Sequence, residues 1–182
     1  MTDIFRAKAP KVMADLMRDF PLDAEDAAAI LGNLGHECSG FRSLQEREPL
    51  VKGSRGGYGW SQWTGPRRRA YEAFCEALAL DPASDRANYG FLIEELKGSE
   101  KRAVPAVMQA CGLRDKVIAF EKTFLRAGIK HYGSRLKWAE EALSAWADYI
   151  PQPPDIEPIL SPKTSRLGAL LRAFFNALRR RS

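Results

Sequence analysis

One stretch of this chain, residues 39–65, has no apolar period and carries six of its 14 glycines, whereas the sequence on either side repeats its apolar residues at helical spacing. That contrast sets the expected fold: a helical domain interrupted by one long loop. Before the loop, Val12, Met13, Leu16, Met17 and Phe20 form one stripe, with Pro10 read as a first-turn residue. Ala27, Ile30, Leu31 and Leu34 form a second stripe behind a cap at Asp23. After the loop, Pro66 restarts a helix that carries Tyr71, Phe74, Ala77 and Leu78 to a stop at Asp81-Pro82, and Ser84 caps the next, which holds Phe91, Leu92 and Leu96. Further helical patterns cover 100–111, 113–127 and 134–149, the last with Leu136, Trp138, Leu143 and Trp146. No alternating strand pattern appears, so the class is mainly α, with at most a short β-hairpin in the loop. A loop too long for mere connection has work to do.

The 182 residues suffice to bury a core without a disulfide or metal staple. Cys38, Cys75 and Cys111 are odd in number, far apart and without C-x-x-C spacing, which reads as reduced, mostly buried thiols. His36 and His131 lack partners for a tetrahedral site, so neither metal nor cofactor is expected. Cys38 beside His36 lacks a group to orient the imidazole, which argues against a cysteine peptidase. There is no apolar run long enough to span a bilayer and no export signal in MTDIFRAKAPKVMADLMRD, so the expected location before action is a cytoplasm.

Charge is unevenly placed. Of 28 Lys and Arg, five Arg fall in residues 166–182 with no acid among them, which leaves 1–165 with equal numbers of basic and acidic residues. The net charge of +5 therefore belongs to the tail and gives no reason to expect a nucleic acid partner for the domain. A segment with five Pro, PQPPDIEPILSP at 151–162, precedes the tail as a semi-rigid spacer. The expected plan is a domain over 1–150, a linker over 151–165 and a helix over 166–182. In that helix Leu167, Leu170, Leu171, Phe174, Phe175 and Leu178 share one side, and Arg172 and Arg179 fall opposite, with Arg166, Arg180 and Arg181 adding charge. A cationic amphipathic helix of this kind binds anionic membrane by apolar insertion and charge together.

Chemistry points to the loop. Glu37 ends a helical segment and Glu46 follows in the loop, so two carboxylates can face one cleft. Glycoside hydrolysis needs such a pair, one protonated to assist the leaving oxygen and one ionised to activate water or stabilise the cation. Glu37, near Leu34 and Phe41, is the better candidate for a carboxyl held protonated by desolvation; Glu46, between Gln45 and Arg47, is the candidate base. Next, GGYGWSQWTGPRR at 56–68 gathers Tyr58, Trp60 and Trp63 among glycines, with Gln62 and Thr64 between them. Aromatic faces stack on sugar rings, Gln and Thr bond hydroxyl and acetamido groups, and Gly lets a backbone approach a ligand. The competing reading makes these aromatics core. Arg67, Arg68 and Arg69 open a helix and either form a solvated face, contact peptide carboxylates or stabilise the loop, and His131-Tyr132 in GIKHYG reads as a helix connection or a rim contact.

The pairing of G-x-L-x-x-E at 32–37 with G-G-Y-G-x-x-Q-W-T-G-x-R-R at 56–68 resembles the lysozyme-like domain of phage endolysins and phage tail lysozymes, over residues 10–150. G-H-E-C-S-G-F at 35–41 also resembles G-H-E-S-G-G-F of family 19 chitinase-like endolysins. The resemblance implies a peptidoglycan hydrolase cutting between N-acetylmuramic acid and N-acetylglucosamine; separately, a monomer is expected. It further implies Glu37 as general acid, Glu46 as second carboxylate, and the segment holding Tyr58, Gln62, Trp63 and Thr64 as the floor of the sugar cleft. Cys38 and Ser39 depart from those motifs, and Glu48 competes with Glu46 for the second role. A transglycosylase using one carboxylate and a chitinase-like specificity stay open, as does a non-enzymatic protein that binds glycan or membrane.

Overall fold

α1, residues Asp3–Asp19, starts well before the predicted stripe and carries Pro10 in its interior, so the first-turn reading of that proline is corrected. The physical reason is burial upstream: Phe5 and Ala9 are fully enclosed, and Arg6 is ion-paired with Glu141 and Asp148. An interior proline costs about 3 kcal/mol, and this contact face offsets it. The computed structural model describes residues 3–49 and 53–149.

α2, Ala24–Glu37, begins as expected at Asp23, whose side chain accepts from the Asp26 amide while Asp26 accepts from Asp23 in return. It is the central helix, packed against α1, α6 and α7, and its residues 26–35 are all buried. Gly32 lets α7 come close: a β-carbon there would lie 2.5 Å from the Arg135 carbonyl oxygen and 2.6 Å from the Ala139 β-carbon. α3, Gly65–Ala77, follows the loop with Pro66 in its first turn, and α4, Asp85–Lys97, is capped by Ser84, whose hydroxyl accepts from the Ala87 amide. α5 covers Ala103–Gln109 and α6 Gly112–Phe120. α6 runs on through a π-helical turn at Glu121–Leu125, and α7 spans Tyr132–Ala147 behind His131, whose φ is +46°. The domain is mainly helical, as expected; among the described residues, strand pairing is limited to isolated bridges of Tyr58 with Gln45 and with Trp63.

The loop from 38 to 64 is nailed into the helices by its own aromatics. Trp60, 1% exposed, meets Phe41 at 4.9 Å between ring centres, and Phe41 stacks at 5.5 Å on Phe5 of α1, which in turn meets Trp138 of α7 at 4.7 Å. Trp63 points the chain's other anchor the opposite way, stacking at 4.7 Å on Tyr71 of α3 and meeting Phe91 of α4 at 5.0 Å. Buried aromatic pairs of this geometry add about 1 kcal/mol each beyond their area. Between the two tryptophans, the Trp60 amide donates to Asn88 Oδ1 at 2.9 Å. Gly59, at φ +79°, passes so close to the Trp63 ring that a β-carbon would sit 2.6 Å from it.

The proposed linker and tail, residues 151–182, lie outside the described residues. Among those described, no helix is long and apolar enough to cross a membrane.

Candidate functional site

Glu37 ends α2, and Glu46 enters the same cleft from the loop. The cleft encloses about 350 Å³ and is lined by Glu37, Ser39, Ser43, Gln45, Glu46, Arg47, Gln62 and Thr64. Two of the four predicted sugar-binding residues, Gln62 and Thr64, thus lie beside both carboxylates. Glu48 is exposed and does not line the cleft, so of the two competing acids the structure brings Glu46 to Glu37.

The two carboxylates have different supports. Glu37 Oε1 is ion-paired at 2.7 Å with Arg135 Nη2, a guanidinium only 1% exposed. Arg135 is fixed in turn, donating from Nε to the Lys130 carbonyl at 2.7 Å and from Nη1 toward Asn33 Oδ1 at 3.4 Å. The expected apolar surround of Glu37 is therefore not found. Leu34 and Phe41 are spent in the core, and the nearest strong neighbour is a cation. Glu46 is held by backbone instead: its Oε2 accepts from the Gly57 amide at 2.7 Å, and its own amide donates to the Gly57 carbonyl at 2.9 Å.

Trp63 is corrected as a stacking platform. It is 1% exposed, Tyr71 stacks on its ring, Phe91 meets it in an edge contact, and its indole N–H donates to Glu95 Oε2 at 2.6 Å. Tyr58 also falls outside the cleft lining; it is half-buried near Tyr71, with the Arg68 guanidinium 5.2 Å from its ring centre. The Gln62 side-chain amide donates to the Leu44 and Gly59 carbonyls at 3.0 and 2.9 Å, a role that shapes the loop and occupies its nitrogen.

The arginines of α3 also take structural parts. Arg67 forms a two-pronged pair with Glu95, both bonds 2.7 Å, and its ring contact with Phe124 ties α3 and α4 to the π-helical turn. Arg68 donates to the Arg55 and Gly56 carbonyls at 2.6 and 2.9 Å and pairs with Glu72, which braces the glycine loop from below. Glu95 and Arg135 carry the site's support and went unread in the sequence. Glu95 sits among the apolar positions of α4, and a buried acid on such a stripe is a signal that a cation must meet it.

The imidazole next to Glu37 belongs to the same wall. His36 Nδ1 lies 2.9 Å from the Ser134 hydroxyl and its ring centre 5.1 Å from that of His131. Desolvation first, then the positive charge of Arg135 and the neighbouring His131, pull the His36 pKa down to about 4. Cys38 is fully buried, donates to the Leu34 carbonyl, and is pushed up to about 12 by that burial, so it is no nucleophile at neutral pH. Cys75 is also buried and Cys111 is exposed. Among the described residues no three His, Cys, Asp or Glu are grouped to hold a metal ion.

The comparisons with known proteins agree with this geometry in one respect. A family model described as phage tail lysozyme matches residues 7–146, a span holding every cleft residue named above. No curated protein and no solved structure matches.

Proposed function

We propose, from the premise that the chain belongs to the phage tail lysozyme family, that it is a muramidase. It would cut the bond between N-acetylmuramic acid and N-acetylglucosamine in bacterial peptidoglycan, with Glu37 and Glu46 as its working carboxylates. The observation that carries the reading is the convergence of Glu37, Glu46, Gln62 and Thr64 on one polar cleft. Arg135 engages Oε1 of Glu37 and leaves Oε2 to face the glycosidic oxygen, where Glu37 acts as the general acid. The guanidinium favours the charged carboxylate, so it stabilises the product of proton transfer and works against the protonated form that must precede it. Glu46 Oε1 then activates water or stabilises the sugar cation, while Oε2 stays on the Gly57 amide. Ser39, Ser43 and Thr64 offer hydroxyls to the sugar.

Because Glu46 also serves the loop through Gly57, a single-carboxylate transglycosylase is the second reading. Mass spectrometry of products released from purified peptidoglycan separates the two. Reducing-end N-acetylmuramic acid from wild type, absent with Glu37→Gln, is expected; anhydro ends indicate the transglycosylase. Sugar products unchanged in Glu37→Gln, or none from either protein, overturn the assignment.

In this reading the enzyme works as an endolysin, held in the host cytoplasm until the inner membrane is breached. The family description favours a virion tail as the other placement, and finding the chain in purified particles would decide for it. The tail carries a second proposed activity, insertion of its Leu and Phe side into anionic bacterial membrane. Vesicles with anionic headgroups should leak with wild type and leak several-fold less with Arg179→Gln, Arg180→Gln and Arg181→Gln combined; equal leakage removes the membrane role.

A further inference from the structure

Arg47 differs from the other arginines around the cleft. Arg135 lies beneath Glu37, Arg67 is committed to Glu95, and Arg68 to Glu72 and loop carbonyls. Arg47 is exposed, lines the cleft, and has no ion pair among the described residues, although Glu46 and Glu48 flank it in sequence. The acids it might have answered are engaged elsewhere: Glu37 by Arg135 and Glu46 by the Gly57 amide. Of the other lining groups that do not carry charge, the Gln45 and Gln62 amides are committed to the loop, and the hydroxyls of Ser39, Ser43 and Thr64 suit hydroxyl and acetamido groups, which any N-acetylglucosamine polymer supplies. A guanidinium adds something that only an anionic substituent uses, because its planar fork matches a carboxylate.

We propose that Arg47 is a specificity-determining residue that pairs with a carboxylate carried by the muramyl sugar, so that the cleft prefers peptidoglycan to an uncharged N-acetylglucosamine polymer. The inference rests on the proposed reading of the cleft as a peptidoglycan site. The carboxylate has two sources: the lactyl group of a strand stripped of peptide, or the stem peptide of an intact strand. Both present the same anion to the same guanidinium. Glu46 in the cleft would repel either one, and Arg47 supplies the opposing charge.

The test is binding, measured in the Glu37→Gln background so that no substrate is consumed. Three probes are used: intact soluble strands, strands stripped by an amidase, and N-acetylglucosamine oligomers of equal length. The Glu37→Gln protein should prefer at least one carboxylate-bearing probe over the oligomer, and adding Arg47→Gln should shrink that preference about tenfold, the worth of a hydrogen bond to a charged group. The stripped strand identifies the lactyl group as source if it alone shows the loss; the intact strand identifies the peptide. High salt should weaken the preference of the parent and change the double variant little. Equal weakening for all three probes, or an unchanged preference, overturns the proposal. Arg47 has no ion pair to lose among the described residues, and an unaltered melting temperature in Arg47→Gln confirms that folding is not the cause of any loss. Product analysis of the wild type judges the muramidase reading separately, since carboxylate preference is read without cleavage.

Discussion

Glu37 and Glu46 share a cleft but owe their positions to unlike structures. Glu37 stands on a rigid helix end, and a buried arginine from α7 fixes one of its oxygens. Glu46 stands on a loop, and a glycine amide fixes one of its oxygens. The first arrangement is made by helix packing across the full domain, the second by hydrogen bonds between loop residues 46 and 57. One carboxylate therefore depends on how closely α2 and α7 approach, the other on the loop's two tryptophan anchors.

The widest split between the two walls should come from Gly32→Val. A side chain there meets the α7 backbone at 2.5 Å, which should cost about 3 kcal/mol and lower Tm by about 10 °C, with activity falling as Arg135 moves from Glu37. A wild-type Tm in thermal unfolding would mean that the helices do not approach this closely. On the loop wall, Glu46→Gln should lower kcat about 100-fold while leaving Tm within a few degrees of wild type. Glu48→Gln should change kcat less than about twofold, since the side chain is outside the cleft lining; the reverse pattern would transfer the second role to Glu48.

The helical wall should also show a pH dependence of its own. His36 is held low, at about 4, by its burial, by Arg135 and by His131, against about 6.5 when unfolded. Between these values the unfolded chain binds the extra proton, so stability is full above pH 6.5 and falls as the pH drops toward 4. Full linkage would give a loss of about 3 kcal/mol, and solvent screening of this half-buried ring should lower it to about 2 kcal/mol. Denaturant unfolding of wild type and His36→Gln across that window checks it, because the variant should show a shallower slope. Identical slopes would remove His36 as the cause.

Much of the helical scaffold was legible because it is written in local patterns. The Asp23 and Ser84 caps, Pro66 in a first turn and the glycine-rich break each act within a few residues, and periodicity shows them. Pro10 misled because a proline signals a helix start only when nothing upstream is buried, and the enclosure of Phe5 depends on Trp138 and Phe41, far away in sequence. In the site, the acidic pair and the Gln62 and Thr64 segment could be picked out by residue type. Trp63 could not be assigned, since an aromatic residue among glycines serves a sugar or a core equally well until its neighbours are known. Here Tyr71 stacks on the ring, Phe91 meets it in an edge contact and Glu95 takes its N–H.

By itself the sequence determined the helical class, the place of the long loop and the residue types that offer glycan chemistry, because spacing, caps and glycine content act over short chain distances. Only the tertiary structure decided which acid joins Glu37, that a guanidinium rather than apolar surface supports it, and that the loop's tryptophans are anchors. Those outcomes depend on pairings between segments remote in sequence, such as Glu37 with Arg135 and Trp63 with Glu95, and such pairings form only when packing brings the segments together.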